Sequence, residues 1–184
     1  MLVVSHKVVS KAEGRVVRGA AKLEVILGEA QRVVRRRDNL VIAETRHGFV
    51  CASAGVDASN APEVGALVLL PLDPDASAAR LHERLGLPVI ISDSFGRAWR
   101  RGTTDVAIGA AGLTALLDLR GQRDATGYEL QTTAIALADE IAGAAELVKG
   151  KTRGVPAAIV RGLSVAGEGT ARDLVMPAEQ DLFR

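Results

Sequence analysis

Several residue types that mark particular protein classes are scarce in this sequence. Aromatic residues make up only 3% of its 184 residues, which argues against the stacking platform that single-stranded nucleic acid requires. The formal net charge is +1, so no overall field attracts DNA or an anionic membrane. No apolar run approaches the roughly 18 residues of a membrane span, and the N-terminus lacks the features of a secretory signal. We therefore expect no nucleic-acid partner and no membrane partner.

Cysteine is nearly absent, since Cys51 is the only one. No disulfide can form within the chain, and this content is typical of a protein in the reducing cytoplasm. Cys51 stands among small apolar residues and is predicted to be a buried hydrophobic side chain rather than a nucleophile. The phosphate-binding pattern G-x-x-x-x-G-K-[ST] is also missing, so a nucleotide site in this chain is not a P-loop.

Strand and helix patterns alternate irregularly along the chain. Helical spacing or capping signals predict helices over residues 20–36, 73–86 and 130–150. The basic run at residues 35–37 is predicted to end the first of these helices, where cations suit the helix dipole. Runs rich in β-branched residues predict strands over residues 2–10, 39–45, 47–55, 66–72, 87–94, 103–112 and 155–163. We expect an α+β fold with a mixed β-sheet and packed helices, in a single compact domain over residues 1–184.

Two carboxylates stand where apolar runs end. Asp93 and Ser94 follow a buried-looking strand and precede a glycine-containing loop, and ligand sites often lie at such strand ends. Asp57 stands in the segment "CASAGVDASN", three residues before Asn60. Carboxylate and hydroxyl oxygens are the ligands that suit Mg²⁺ or Mn²⁺. The alternative is that both aspartates only cap turns.

Basic residues near these acids favour anion binding, although each has a structural alternative. Arg97, Arg100 and Arg101 follow Asp93 and either recognise phosphate or carboxylate, or form a basic surface loop. Trp99 between them is interpreted as an anchor of the loop on the core. The segment "SKAEGR" at residues 10–15 offers a hydroxyl, a lysine and backbone N–H groups that could hold phosphates directly after a strand.

A family resemblance runs in order along the whole chain. It is carried by "VVSKAEGR", "ETRHGFVCASAGVDASN", "LLPLDPDASAARL", "ISDSFGRAWRRGTTDVAIGAAGL" and "ADEIAGAAELVKGK". These segments resemble the coenzyme F420-0:L-glutamate ligase family, most closely its bacterial form, whose chain can continue into a nitroreductase-like domain. The resemblance implies a GTP-dependent ligase that adds L-glutamate to the deazaflavin F420-0 through an acyl phosphate. It also implies an intertwined homodimer with two divalent cations, Mg²⁺ or Mn²⁺, in each site.

The resemblance also implies roles for individual residues. Asp57 and Asp93 are implied to be catalytic metal ligands, with Ser94 as a third ligand. Positions implied to contact the nucleotide are Ser10, Lys11, Arg15 and Asn60. Lys151 departs from the family pattern, and its ammonium group is predicted to contact phosphate instead.

Departures from the family pattern keep alternatives open. The segments before the first strand and after "EGRVV" are shorter than is usual in the family. Lys149 and Lys151 stand where many archaeal members place a metal-binding Glu or Gln, and a protonated lysine cannot ligate Mg²⁺. One alternative is therefore a non-catalytic module that binds a nucleotide or the deazaflavin. Another is a ligase for a different acid or amine acceptor.

Overall fold

The secondary structure mixes strands and helices, as the sequence predicts. The computed structural model describes residues 1–182. The helices are α1 (His6–Ala12), α2 (Lys22–Glu29), α3 (Pro74–Leu85) and α4 (Leu137–Lys149). The strands are β1 (Leu2–Ser5), β2 (Val16–Val17), β3 (Ala30–Arg37), β4 (Leu40–Thr45), β5 (Val50–Ala52), β6 (Leu67–Val68), β7 (Val89–Arg97), β8 (Arg100–Ala111), β9 (Leu117–Asp118), β10 (Ala134–Ile135) and β11 (Ala157–Ile159).

The largest sheet has the strand order β11-β1-β7-β8. Strand β1 runs parallel to β7 and antiparallel to β11, which confirms a mixed sheet. The short apolar run of β1 is buried on both faces, and Val3, Ile90 and Ile91 are fully buried within the sheet. Strand β1 ends at Ser5, opposite Ser92, whereas β7 continues to Arg97. The edge of β7 is therefore open beyond Ser92 on the side that β1 leaves.

A smaller layer is built from the three-stranded antiparallel sheet β3-β4-β5 and the two-stranded sheet β2-β6. Its buried side chains come from α2, β4, β6 and the segment around residue 56, and they include Ile26, Val41, Val56 and Leu67. Within residues 1–182, no helix combines the length and the apolar character needed to cross a bilayer.

Helix α3 follows its local signals closely. Asp73 caps its N-terminus by accepting a hydrogen bond from Ala76 N at 3.0 Å, and Pro74 occupies the first turn. Gly86 ends the helix in the left-handed conformation, with φ of 63°, which glycine adopts without a steric penalty. The predicted helix over residues 73–86 is therefore confirmed. Helix α4 begins only at Leu137, so the prediction of a helix from residue 130 was too long.

Two other predictions of secondary structure are wrong. The strand predicted over residues 2–10 stops at Ser5, and residues 6–12 form α1, which buries His6, Lys7 and Ser10. The helix predicted over residues 20–36 stops at Glu29, and the chain continues as β3, which pairs with β4. The basic run at residues 35–37 therefore lies in a strand, because cross-strand pairing overrides the local helical spacing.

The hairpin of β7 and β8 projects away from the core. Trp99 at its tip is 81% exposed and has a positive φ of 55°. The interpretation of Trp99 as a core anchor was wrong. Arg97, Arg100 and Arg101 are exposed on the same hairpin, as expected of a basic surface loop.

Candidate active site

A cavity of about 340 Å³ opens where β1 ends and β7 continues. Its walls come from the start of α1, the residues after Asp57, strands β7 and β8, and the end of α4 with the loop that follows. Charged groups dominate these walls. Four lysines and three acids line it, namely Lys7, Lys11, Lys149, Lys151, Asp93, Asp105 and Glu146.

Five of the predicted site residues line this cavity, and one of them, Asn60, contacts two of the others. Lys11 Nζ donates a hydrogen bond to the backbone oxygen of Asn60 at 3.3 Å. Asn60 Nδ2 in turn donates to the backbone oxygen of Lys151 at 3.2 Å. The other two, Asp93 and Ser94, form part of the wall. Residues far apart in the chain thus form one polar rim.

Asp57 stands beside the cavity and is held by its neighbours. Its Oδ1 accepts a hydrogen bond from Ser59 N at 2.8 Å, and its Oδ2 accepts from Ser59 Oγ at 2.7 Å. Lys7 Nζ lies 2.8 Å from Oδ2, and Lys151 Nζ lies 4.0 Å from it. Burial alone would raise the pKa of Asp57, but the bonds from Lys7 and Ser59 outweigh it and hold the pKa far below its ordinary value.

Asp93 is held from the side of α1. Its Oδ1 accepts a hydrogen bond from Ser94 N at 2.8 Å. The Nε2 atom of His6 lies 3.2 Å from the same oxygen, although the alignment is poor for a hydrogen bond. His6 is fully buried, and its Nδ1 lies 3.2 Å from Ser10 Oγ. A chain of polar contacts thus runs from Ser10 through His6 to Asp93.

Ser10 and Arg15, two of the predicted nucleotide contacts, do not line the cavity. Ser10 is fully buried against His6. Arg15 donates to the backbone oxygen of Leu70 at 3.0 Å and to Glu29 Oε2 at 2.6 Å. The Arg15 side chain therefore connects separate elements of the fold, whereas the Ser10 side chain makes its contact within α1.

A buried ionic network forms another part of the cavity wall. Lys149 Nζ donates to Asp105 Oδ2 at 2.8 Å and to Ser92 Oγ at 2.7 Å. The Oδ1 atom of Asp105 accepts from Ser94 Oγ at 2.7 Å. Burial tends to raise the pKa of Asp105, but the bonds from Lys149 and the two serines lower it overall. Glu146 lies beside this pair, and its pKa is raised by burial and by the charge of Asp105.

Sequence reasoning missed Lys7, His6, Asp105 and Glu146, and noticed Lys149 only as a departure from the family pattern. A signal existed in three cases, because a charged or titratable residue interrupts an apolar run. His6 and Lys7 interrupt "LVVSHKVVS", and Asp105 interrupts "TTDVAIGAAG". Such interruptions point to paired or functional groups, since unpaired charges are costly to bury.

The wall of the cavity offers only a few side-chain oxygen atoms as ligands for a hard cation. In the described part of the chain, no group of three His, Cys, Asp or Glu side chains is arranged to hold a metal ion. Asp93 and Ser94 present oxygen atoms at the cavity, whereas Asp57 already has Lys7 and Ser59 on its carboxylate. Asp93 together with Ser94 fits Mg²⁺, because this ion usually takes one or two carboxylates and completes its shell with waters and phosphate oxygens.

Cys51 and His47 lie outside the cavity, and their side chains contact other parts of the fold. Cys51 is 6% exposed, which confirms the prediction that it is buried, and burial raises its pKa to about 12. His47 Nε2 lies 3.0 Å and 3.1 Å from the backbone oxygens of Pro71 and Leu72. Its pKa is lowered, mainly by burial.

Comparison with known proteins places this site in context. The profile of the family described as F420-0:Gamma-glutamyl ligase matches residues 1–162. A "Coenzyme F420:L-glutamate ligase" of Methanothermobacter thermautotrophicus is 40% identical over 213 residues, covering 100% of this chain and 84% of the relative. That aligned span is longer than this chain, so the relative carries insertions that this chain lacks.

Two further relatives carry the same name. The protein of Methanocaldococcus jannaschii is 44% identical over 170 residues, covering 88% of this chain and 68% of the relative. The protein of Methanopyrus kandleri is 42% identical over 215 residues, covering 100% of this chain and 85% of the relative. By both its family profile and these identities, the chain belongs to the F420-0:gamma-glutamyl ligase family.

Proposed function

We propose that this chain is a ligase that joins L-glutamate to coenzyme F420-0 at the expense of GTP. Family membership supports the formation of a carbon–nitrogen bond and the identity of the two substrates that it joins. The observation that carries the proposal is the cavity itself, where four lysines and three acids face one space of about 340 Å³. Such a mixture suits the transfer of a phosphoryl group between anionic partners, since fixed cations offset the charge of the phosphates.

Phosphate recognition is assigned to the rim. Lys11 and Lys151 are exposed, and Asn60 accepts a hydrogen bond from the Lys11 ammonium group and donates one to the backbone oxygen of Lys151. An ammonium group is a compact cation with three donors, which suits phosphate oxygens. These three residues are therefore proposed to contact the nucleotide, with Lys11 and Lys151 facing its phosphates.

Divalent cations are assigned to the acidic side of the cavity. Asp93 and Ser94 would hold Mg²⁺ or Mn²⁺, and Asp57 would contribute once Lys7 has moved from its carboxylate. When bound, the cation would neutralise charge on the phosphate oxygens. The resemblance implies two cations in each site. The side chains described above fit a cation at Asp93 better than one at Asp57.

The reaction is proposed to proceed in two steps. A carboxylate oxygen of F420-0 attacks the γ-phosphorus of GTP. The bond between this phosphorus and the oxygen that bridges to the β-phosphate breaks, so that GDP departs and an acyl phosphate of F420-0 is formed. The amine of L-glutamate, having lost its proton, attacks the acyl carbon, and phosphate leaves as the amide forms. The lysines at the cavity would orient both anionic substrates, which reduces the entropy cost of bringing them together.

A homodimer in the cytoplasm completes the proposal. The resemblance supports it, and large apolar side chains stand exposed away from the cavity, including Val33 at 43%, Leu40 at 54% and Trp99 at 81%. Sedimentation velocity of the purified protein tests the oligomeric state. A monomer at all concentrations would contradict the dimer and leave the ligase proposal intact.

The test of activity is direct. The protein is mixed with GTP, Mn²⁺ or Mg²⁺, L-glutamate and F420-0, and the deazaflavin is analysed by mass spectrometry. We expect a mass increase of one or more glutamyl residues, together with GDP and phosphate in equal amounts. A folded protein that forms no such product would contradict the proposal, and replacing GTP by ATP tests the nucleotide.

The second candidate is a binding module without turnover. The pairing of Lys7 with Asp57 favours it, because this pair occupies a carboxylate that the ligase needs for a cation. Calorimetry with GTP and Mn²⁺ separates the two candidates. Binding without product supports the module, whereas binding with product supports the ligase.

A further inference from the structure

The ammonium group of Lys149 is enclosed by oxygen atoms in the wall of the cavity. Lys149 is 2% exposed and Asp105 is 4% exposed. The Nζ atom lies 2.7 Å from Ser92 Oγ and 2.8 Å from Asp105 Oδ2. Ser92 Oγ also donates to Asp105 Oδ2 at 2.8 Å, so the same carboxylate oxygen meets both groups.

This arrangement differs from an ordinary ion pair on the surface. An exposed pair is screened by water and contributes little. A buried pair recovers its desolvation cost only with good geometry and further hydrogen bonds, and is seldom more stabilising than apolar residues of the same volume. The charge of Lys149 therefore matters mainly for the polar groups around it and for whatever enters the cavity.

The network also determines how Ser94 is presented. Asp105 accepts the Ser94 hydroxyl through Oδ1 while its Oδ2 is held by Lys149. The Ser94 hydroxyl proton therefore points to Asp105, and its lone pairs remain as acceptors. Glu146, one turn before Lys149 on α4, adds a second carboxyl group next to Asp105.

We propose that Lys149 is a tethered cation, whose ammonium fills a position between Ser92 and Asp105 that would otherwise take a divalent metal ion. The chain thus supplies one positive charge of the cavity covalently. This part of the wall binds no divalent cation in the native protein, and any metal binds on the Asp93 side. The inference concerns cation binding alone and does not depend on ligase activity.

The experiment counts Mn²⁺ ions bound per chain, with Mn²⁺ alone as the probe. Equilibrium dialysis with metal analysis is done on the native protein, on Lys149→Ala and on Lys149→Met. Lys149→Ala removes the ammonium and leaves space, so we expect one Mn²⁺ more per chain than in the native protein. Lys149→Met also removes the charge but keeps most of the side-chain volume, so we expect no additional ion.

Two further variants locate the added ion. Lys149→Ala combined with Asp105→Asn should lose it, because the carboxylate that binds it is gone. Lys22→Ala removes an exposed lysine of α2 that does not line the cavity, and should leave the number of bound ions unchanged. The thermal midpoint of Lys149→Ala should rise more with Mn²⁺ than that of the native protein, because a ligand of the folded state stabilises it.

Each outcome decides the matter. A folded Lys149→Ala variant with the same number of Mn²⁺ ions as the native protein overturns the proposal. If Lys149→Ala folds only when Mn²⁺ is present, the proposal is supported, and if Mn²⁺ does not restore folding, it is overturned. A native protein that binds no Mn²⁺ contradicts the metal dependence proposed for the ligase, whereas the tethered cation is still judged by the gain in Lys149→Ala.

Discussion

Lys7 Nζ lies 2.8 Å from the Oδ2 atom of Asp57, the residue that the sequence singles out as a metal ligand. The pair joins the first turn of α1 to the loop after residue 56. It means that the carboxylate is already neutralised inside the protein, so a divalent cation at Asp57 competes with an ammonium group. The assignment of Asp57 as a ligand can therefore be tested through Lys7.

Lys7→Met should tighten Mn²⁺ binding if Asp57 is a ligand. Removal of the competing charge is expected to lower the dissociation constant by about fivefold, which corresponds to about 1 kcal/mol, the value of a partly exposed ion pair. Calorimetric titration with Mn²⁺ measures this change. Lys22→Met, at an exposed position of α2, is the matched control. Unchanged or weaker binding in Lys7→Met would remove Asp57 from the set of metal ligands.

Asp57→Ala and Asp93→Ala should each abolish glutamate addition while the protein stays folded. Removal of one group that stabilises charge in the transition state typically costs about 100-fold or more in rate. Mass spectrometry measures the rate at which F420-0 gains its first glutamyl residue, and circular dichroism tests whether each variant is folded. Asp118→Ala, an aspartate paired with Arg120 on the surface, should retain the native rate. Normal rates in both cavity variants would show that the acids serve folding only.

His6 is expected to act as a positioning residue for Asp93. Partners that orient a metal-binding carboxylate typically change metal affinity by about 10- to 100-fold when removed. His6→Ala should therefore weaken Mn²⁺ binding by about tenfold, and His6→Gln should restore part of it, because its amide can still meet Asp93. A role confined to packing predicts that Mn²⁺ affinity is the same in all three folded proteins, and calorimetry distinguishes the two cases.

The pH dependence of stability should reveal the two classes of buried acid. The pKa of Asp57 is lowered in the folded state, so its contribution to stability is fully present above the unfolded pKa and is lost as the pH falls from there through the folded pKa. The pKa of Asp139 is raised by burial, so the pH dependence of its contribution to stability is the reverse of that of Asp57. This contribution is fully present below the unfolded pKa and is lost as the pH rises through the folded pKa.

Urea unfolding at about pH 3 and at about pH 7 tests both signs, because these values lie below and above the unfolded aspartate pKa of about 4. Asp57→Asn should lose more stability relative to the native protein at pH 7 than at pH 3. Asp139→Asn, whose amide oxygen can still accept from Ala107 N, should show the reverse order. The same trend in both variants would mean that the two carboxyl groups do not differ as described.

Gly109→Ala should destabilise the fold where α3 packs on β8. A β-carbon at this position would lie 2.4 Å from the backbone oxygen of Pro74, which cannot move aside as a flexible side chain can. We expect a loss of about 1–3 kcal/mol in the free energy of unfolding. Gly96→Ala in β7, where nothing lies within 4 Å of the new atom, is the control. Equal stability of the two variants would contradict the close packing.

Local signals explain which elements of the fold were predictable. Helix α3 has its own cap at Asp73 and its own stop at Gly86, so residues at its two ends determine its limits. Strand β3 has no such signal, because residues 30–36 keep helical spacing and become a strand only by pairing with β4. The same holds for α1, whose β-branched residues favour a strand while its buried side chains require a helix.

The candidate site divides in the same way. Asp93 and Ser94 were identified because they follow an apolar run, although β7 continues past them to Arg97. The "SKAEGR" segment pointed to Lys11, the family resemblance assigned Asn60 to the nucleotide, and Lys151 was noticed as a departure from the family pattern. Asp105 and Lys149 depend on each other, and their partnership connects β8 to the end of α4. No pattern within a short window reports such a contact, because only the tertiary fold brings the two segments together.

Strand β1 has four residues, yet the cavity depends on it. Its end at Ser5 opens the edge of β7, and its pairing with β7 and β11 brings α1 beside the end of α4. Because β1 lies between β11 and β7 and its valines are buried, it is expected to open only together with the body of the domain. The lysines and acids of the cavity are therefore brought together by the same long-range pairing that completes the main sheet. Ligand binding thus reports the integrity of that sheet.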